Sequence, residues 1–424
     1  MVRVLHFSEA DLGAAGFGRR DPTTNLPLRV GDHLKALDFI IETAINEAVD
    51  LVVFAGDAYH SPYPSPTLQR EWGQRVMRLS RAGIPLLMVV GHQDASSLPH
   101  RAHALDVFAT LGVAHVLVID QPCFLSSADL SRLLFGEASQ RQLPLQVIAI
   151  PWANPRLAAR SLAKDSAAAY HEYLIQAVQA WLSAADPATP LLLAAHAIVV
   201  PSPDDVAGNA AVALPDQLTL PLALLQDERL DYVALGHSRR AMNLNDGAYP
   251  PLVYPGSIER LDFSEAEEDK FFVIAHLERG RTLVEWRKIE GLRPFIIAAL
   301  RLEPDQDIRA QLNAALPDAE LLTGAVVRLT LEYPPQLEGL IDEAALRRYA
   351  RPAFSFQLVK HPQRQSRLRL PQESAVSQLS PLDLLKLYWE SNQVPAEESE
   401  VLCSLAAEII AQVDRPSDSD TNPP

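Results

Sequence analysis

Five apolar stretches of this chain stop abruptly on residues that can hold a metal ion or move a proton. They are Phe7-Ser8-Glu9-Ala10-Asp11, Phe54-Ala55-Gly56-Asp57 with His60 just beyond, Val90-Gly91-His92-Gln93-Asp94, Ala195-His196, and Leu235-Gly236-His237-Ser238-Arg239. A lone Gly-Asp is more often a turn cap than a ligand. Recurrence changes the balance, because an open α/β sheet keeps its ligands at the carboxyl ends of buried strands. Carboxylates and imidazoles gathered over one sheet edge suit hard to borderline divalent ions such as Mn²⁺. Two such ions about 4 Å apart bind a phosphodiester, lower the pKa of a bridging water and stabilise the leaving oxygen. Phosphoester hydrolysis is the chemistry that follows.

The elements needed to hold these residues can be read in order. Residues 2–8 form a first strand. Asp32 caps a helix whose apolar positions Leu34, Leu37, Ile41, Ala44, Ile45 and Ala48 recur at helical spacing. That helix feeds Leu51–Phe54, a short run apolar throughout, as a strand buried on both faces requires. The opening is therefore a right-handed βαβ unit. A second helix over 67–82 leads to a strand over 84–90. Residues 105–111 read as helix, 114–118, 146–151 and 191–195 as strands, and 155–185 as one or two helices. Strands over 230–235, 252–257 and 271–277 complete one large sheeted domain, with no internal repeat.

From about residue 291 the texture changes to a small α+β domain, with strands at 296–302 and 325–331 and helices at 308–315 and 342–349. Residues 360–379 lose periodicity and read as a linker. Ser380-Pro381-Leu382-Asp383 is a helix start, with Ser as N-cap and Pro at the first helical position. That helix carries Leu384, Leu385, Tyr388 and Trp389 on one face, and a second carries Leu402, Leu405 and Ile409. Such faces need cover, from their own domain or from a partner protein. The acidic, proline-containing tail 415–424 is expected to be disordered.

At 424 residues with 48% hydrophobic and 21% charged residues, the composition is that of an ordinary globular chain. No apolar run approaches the roughly 20 residues needed to span a bilayer. The N-terminus lacks the pattern of a signal peptide, and only Cys123 and Cys403 are present, so a reducing cytoplasm is the expected location. A formal charge of −16 argues against a broad basic footprint for nucleic acid. The clearest local basic cluster, Lys360-His361 to Arg369, also fits a solvated linker.

Taken together, the order of motifs resembles the calcineurin-like metallophosphoesterases and, within them, the SbcD-type exonuclease subunits. The resemblance covers nearly the whole chain: LHFSEADLG, VDLVVFAGDAYHSPYPSP, MVVGHQD, LLLAAHAIV and DYVALGHSRR match the five motifs in turn. YPGSIERLDFSEAEEDKFFVI resembles the segment after the fifth, and SPLDLLKLYWES with its companion helix looks like the family's partner-binding pair. The resemblance implies an α/β sandwich of two sheets flanked by helices over 1–290, a small α+β capping domain over 291–359, the linker, and a helix pair over 380–414. It also implies Mn²⁺, DNA ends as substrate, an SbcC-type coiled-coil ATPase as partner, no membrane, and a homodimer through helices of the first domain.

Departures from the family pattern fall on the catalytic residues. Glu9-Ala10-Asp11 stands where the family has Asp-x-His, Gly91-His92-Gln93-Asp94 where it has Gly-Asn-His-Asp, and Gly236-His237-Ser238-Arg239 where it has Gly-His-x-His. Asp57, His196 and His237 are unchanged metal positions. The first metal position then maps onto Glu9, Asp11, Asp57 and Arg239. Arginine keeps its proton and has no lone pair, so its guanidinium is expected to take the place of an ion among the three carboxylates. The second maps onto Asp57, His92, His196 and His237 and holds one ion. Gln93 occupies the family's catalytic His position and cannot transfer a proton, which removes a contribution on the order of 10²–10⁴-fold. With Asp94 beside it in the motif, His60 and His92 are the nearby groups that could substitute. These residues support a DNA end-processing nuclease subunit of reduced activity. The alternative is a catalytically impaired structural or regulatory subunit that keeps DNA and ATPase binding; a small-molecule phosphodiesterase has no need of the appended domain and helix pair.

Overall fold

The computed structural model describes residues 1–424 except 15, 19, 23–25, 96–101, 162–165, 202–216, 364–379, 392–395 and 414–424. The chain divides into two compact units: Met1–Ala298 with Leu316–Leu329 and Ala344–Leu358, and Ala299–Ala315 with Thr330–Glu343 and Val359–Pro424. The catalytic candidates all belong to the first.

That unit is built on two six-stranded sheets. The first contains β1 (Val2–Phe7), β2 (Leu51–Phe54), β3 (Leu86–Val89) and β4 (Val116–Ile119), all parallel to their neighbours. The second contains β5 (Cys123–Leu125), β6 (Gln146–Ile150), β7 (Leu191–His196), β10 (Tyr232–Gly236), β11 (Met242–Asn243) and β12 (Leu252–Tyr254) in the order β11-β12-β10-β7-β6-β5. Between β7 and β10 in the chain lies a small parallel pair, β8 (Ile198–Val200) and β9 (Thr219–Pro221). Antiparallel strands β13 (Phe271–Glu278) and β14 (Arg281–Lys288) extend the first sheet beyond β1.

Side-chain alternation along the strands produces three cores from these two sheets. Val2 and Val4 of β1, Leu51 and Val53 of β2, and Leu87 and Val89 of β3 face Val147, Leu192, Ala194, Tyr232 and Val253 of the second sheet. The intervening residues Leu5, Phe7, Val52, Phe54, Leu86 and Met88 face helices α1 (Arg29–Asn46) and α2 (Pro66–Arg81). On the far side, Ile148, Leu193, Ala195 and Val233 pack on the long helix Ala167–Ala184 through Tyr170, Leu174 and Val178. The result is a helix–sheet–sheet–helix sandwich, the architecture expected from the sequence.

Several local expectations are corrected. Asp32 is not the N-cap of α1: the helix begins at Arg29, and the buried Asp32 carboxylate in its first turn takes the guanidiniums of Arg29 at 2.9 Å and Arg293 at 2.7 Å. Helix Ser127–Phe135 and strands β5 and β14 were not visible as apolar periodicity, because β14 alternates half-buried and exposed positions and β5 is three residues long. The stretch expected to be two helices at most, 155–185, is two: Pro155–Ser161 and Ala167–Ala184. In the second half of the chain a further strand, Ser355–Pro362, runs into the expected linker, so Lys360 and His361 are strand residues. Lys360 is engaged by Glu343 at 2.8 Å and Glu338 at 3.3 Å, which takes it out of any free basic patch. The rest of that cluster, and the tail 415–424, lie outside the described residues. No helix among the described residues is long and apolar enough to cross a membrane.

Candidate metal centre

The expected strand ends converge, but over two sheets rather than one edge. Glu9, Asp57 and His92 follow β1, β2 and β3 of the first sheet, while His196 and His237 end β7 and follow β10 of the second. Side-chain period decides who enters: Val2, Val4 and His6 point between the sheets along β1, and Leu192, Ala194 and His196 do so along β7. His6 spends its Nδ1 on the Tyr232 hydroxyl at 3.0 Å beneath the site, which leaves the ligand role to the residues past the strand ends.

Close approach is secured by glycines and by unusual backbone. A Cβ on Gly236 would lie 1.8 Å from the Ala55 carbonyl oxygen, and one on Gly91 would lie 2.2 Å from the Asp57 amide nitrogen. Glu9, Asp11, Asp57 and His237 all adopt left-handed backbone, with φ of 50°, 44°, 65° and 99°. Non-glycine residues rarely hold that region, and at functional sites the surrounding structure keeps them there. The loops are then stitched together: Glu9 N–H donates to the Gly56 carbonyl at 3.0 Å, Asp11 N–H to the Asp57 carbonyl at 3.1 Å, and His237 N–H to the Glu9 carboxylate at 2.7 Å.

Two donor groups result. The ligand atoms of His92, His196 and His237 lie within 4.8 Å of one another, as do those of Glu9, Asp57 and His196. His196 donates Nδ1–H to the Ala55 carbonyl at 2.7 Å, which leaves Nε2 as the lone pair facing Asp57 at 3.6 Å. That Nε2, His237 Nδ1 and Asp11 Oδ2 are buried without a hydrogen-bond partner. Orphaned buried acceptors are rare and call for an explanation, and a cation supplies one here. The donor set therefore fits a divalent ion. When bound, such an ion lowers the pKa of a coordinated water and polarises a phosphoryl oxygen.

The titrating groups are pulled apart. Burial raises Glu9 well above the usual carboxylate range, and the neighbouring Asp57 and Asp11 push it further. Burial acts the same way on Asp57, but the imidazoles of His196 and His92 overcome it and hold that carboxyl at about 2. Burial, then the neighbouring imidazoles, lowers His237 to about 4, and burial lowers His196. His237 and His196 are thus neutral imidazoles with lone pairs free at neutral pH. His92 and His60 move upward, through hydrogen bonds to Asp57 and Asp11 respectively.

Three sequence candidates take positions different from those expected. Arg239 does not sit amid three carboxylates: its Nε is 3.8 Å from Asp11 Oδ2, Asp11 is its one ion-pair partner among the described residues, and its side chain is 41% exposed. A guanidinium half in water is held too far out to replace an ion between Glu9, Asp11 and Asp57. Asp94 does no chemistry on a substrate, because it is fully buried and its carboxylate accepts from the amides of Asp57 at 2.8 Å, Ala58 at 2.9 Å and Gly91 at 3.0 Å. It is a positioning residue that folds the Asp57 turn under the third loop. Gln93 contributes its backbone, donating N–H to Asp57 Oδ1 at 2.7 Å, while its side chain reaches His92 at 3.5 Å. His60 does face the cleft, with Nδ1 3.3 Å from Asp11.

Trp152 was missed by sequence reasoning. It follows β6 on the same edge, and its indole stacks on His237 at 5.3 Å with the rings 14° apart while meeting His92 and His196 edge-on. The signal was available: an aromatic directly after a buried strand whose neighbour β7 carries a ligand.

Similarity to known proteins follows the same motifs. The chain is 37% identical over 117 residues, 28% of each chain, to the DNA double-strand break repair protein Mre11 of Halobacterium salinarum. It is 24% identical over 295 residues, 66% of each chain, to the SbcD component of the Escherichia coli nuclease SbcCD. This chain is similar in sequence to the Mre11 and SbcD nucleases over these spans. It spans only part of their length, 28% and 66% of these two, and no protein-family model matches it. A dimetal phosphatase from Danio rerio overlaps 68% of this chain and 96% of its own, with a TM-score of 0.42 and 11% identity.

The partner-binding candidates lie in the second unit. Helix Pro381–Ser391 leaves Leu384, Leu385 and Trp389 half-buried and Tyr388 exposed. Ser380 caps it as expected, its hydroxyl accepting from Asp383 N–H at 3.2 Å. Helix Ala396–Val413 leaves Leu402 half-buried, and Leu405 and Ile409 exposed by 54% and 53%.

Proposed function

We propose that this chain is the phosphodiesterase subunit of a DNA end-processing complex, hydrolysing slowly with one divalent ion held by Asp57, His92, His196 and His237. The observation that carries this reading is the convergence of three imidazoles and Asp57 on unpartnered buried acceptors. Glu9 fixes the His237 loop, and Asp94 fixes the Asp57 turn. His60 stands in for the missing proton donor at Gln93, since its hydrogen bond to Asp11 raises its pKa and so favours the protonated form. The exposed apolar side chains Tyr388, Leu405 and Ile409 support docking of the final helix pair on an SbcC-type coiled-coil ATPase. DNA ends are the proposed substrate and a homodimer the proposed assembly. The domain scheme of the sequence, with 291–359 as a cap and 380–414 as the docking pair, belongs to the same proposal.

The test is degradation of linear duplex DNA with Mn²⁺ supplied, comparing the native chain with Asp57→Ala. Slow, ion-dependent loss of DNA that Asp57→Ala abolishes is expected. A native chain that binds the ATPase and DNA yet releases no nucleotides would instead favour the impaired structural subunit. Gln93, which has no proton to give, is the observation on that side.

A further inference from the structure

The donor atoms around Asp57 carry information about which ion they suit. Asp57 Oδ2 lies 3.3 Å from His92 Nδ1 and 3.6 Å from His196 Nε2. His237 closes the set, with its ring centroid 5.3 Å from that of His196 and 5.5 Å from that of His92. The Trp152 indole stacks on His237 and meets the other two rings edge-on, so all three imidazoles have an aromatic neighbour.

We infer that His92, added to His196, His237 and Asp57, makes this a three-imidazole and one-carboxylate site selective for Zn²⁺, in place of the Mn²⁺ that the sequence resemblance implies. Nitrogen-rich, low-coordination sites favour Zn²⁺, whereas Mn²⁺ prefers six mostly oxygen ligands. The inference rests on the metal-site reading proposed above and names the metal of that site.

Zinc outcompetes manganese at many sites, so the decisive readouts are geometry and the role of His92. The chain is stripped with chelator, loaded with Co²⁺ as a coloured substitute for Zn²⁺, and its visible spectrum recorded. Separately, Zn²⁺ and Mn²⁺ affinities are measured by titration for the native chain, His92→Asn and His92→Gln. Intense absorption bands of four-coordinate Co²⁺ are expected, together with a loss of Zn²⁺ affinity of at least about 100-fold in both variants and little change in that for Mn²⁺. Faint six-coordinate bands in the native chain, or variants that lose both ions equally, would overturn the inference and leave the metal-site reading standing. A native chain that takes up neither Co²⁺, Zn²⁺ nor Mn²⁺ would remove both.

Discussion

The cleft has two sides built on the same strand ends, and they are not equally well made. On one, His92, His196, His237 and Trp152 pack ring against ring beside the Asp57 carboxylate, and the Ala55 carbonyl sets the tautomer of His196. On the other, Glu9 is spent on the His237 amide, Asp11 Oδ2 has no hydrogen-bond partner, and Arg239 and His60 are each about half in solvent. Both sides have carboxylates of nearly complete burial. What separates them is whether each donor has a second contact that fixes it, and a ligand without one is a ligand only when an ion is present.

Four perturbations would break or sharpen that contrast. The largest effect is expected from Gly236→Ala. Its new methyl would overlap the Ala55 carbonyl and come 3.0 Å from His196 Nδ1, displacing the group that fixes the tautomer. Metal uptake should fall to background and stability should drop by about 1–3 kcal/mol, read by metal analysis and thermal melting. Unchanged uptake would mean the well-packed side does not hold the ion. Next, Gln93→His should raise DNA hydrolysis on the order of 10²–10⁴-fold by restoring a proton donor beside the ordered side. No gain would show that chemistry is limited elsewhere.

Arg239→His tests the looser side directly. Replacing the half-exposed guanidinium with an imidazole facing Asp11 should raise the bound metal from one ion per chain towards two, measured by elemental analysis. A native chain already holding two would erase the contrast. The smallest change is expected from His60→Gln, within about tenfold in rate. Because the hydrogen bond to Asp11 raises its pKa above the usual 6.5, His60 loses its proton only as pH climbs past that higher value. The native rate should fall along that alkaline limb, and the variant should lack the limb. An identical pH profile in the two proteins would exclude His60 as the donor.

Much of this was legible in the sequence because a buried strand ending in a charged residue is a local signal. The runs before Glu9, Asp57, His92, His196 and His237 are apolar and short, and all five ends meet. Spacing along the chain carries no information about depth, however. Arg239 and Asp94 were both expected at the site, yet one is half in water and the other wholly buried. The difference is set by three backbone amides that only the fold brings to Asp94. Trp152 was lost for the opposite reason, since indole carries no ligand atom and its contribution is a contact with rings distant in sequence. Strand β14 escaped because one of its faces meets water and dilutes the apolar alternation.

The left-handed turns at Glu9, Asp11, Asp57 and His237 have one last consequence, for mutational scanning. Alanine at any of them would delete the functional group but inherit the same awkward torsion, so its melting point would mix two penalties. Glycine would remove the side chain and relax the torsion together, and should melt above the matching alanine by an amount equivalent to about 1 kcal/mol. Comparing such pairs would separate how much of the fold's stability is given up to present a side chain from how much that side chain returns.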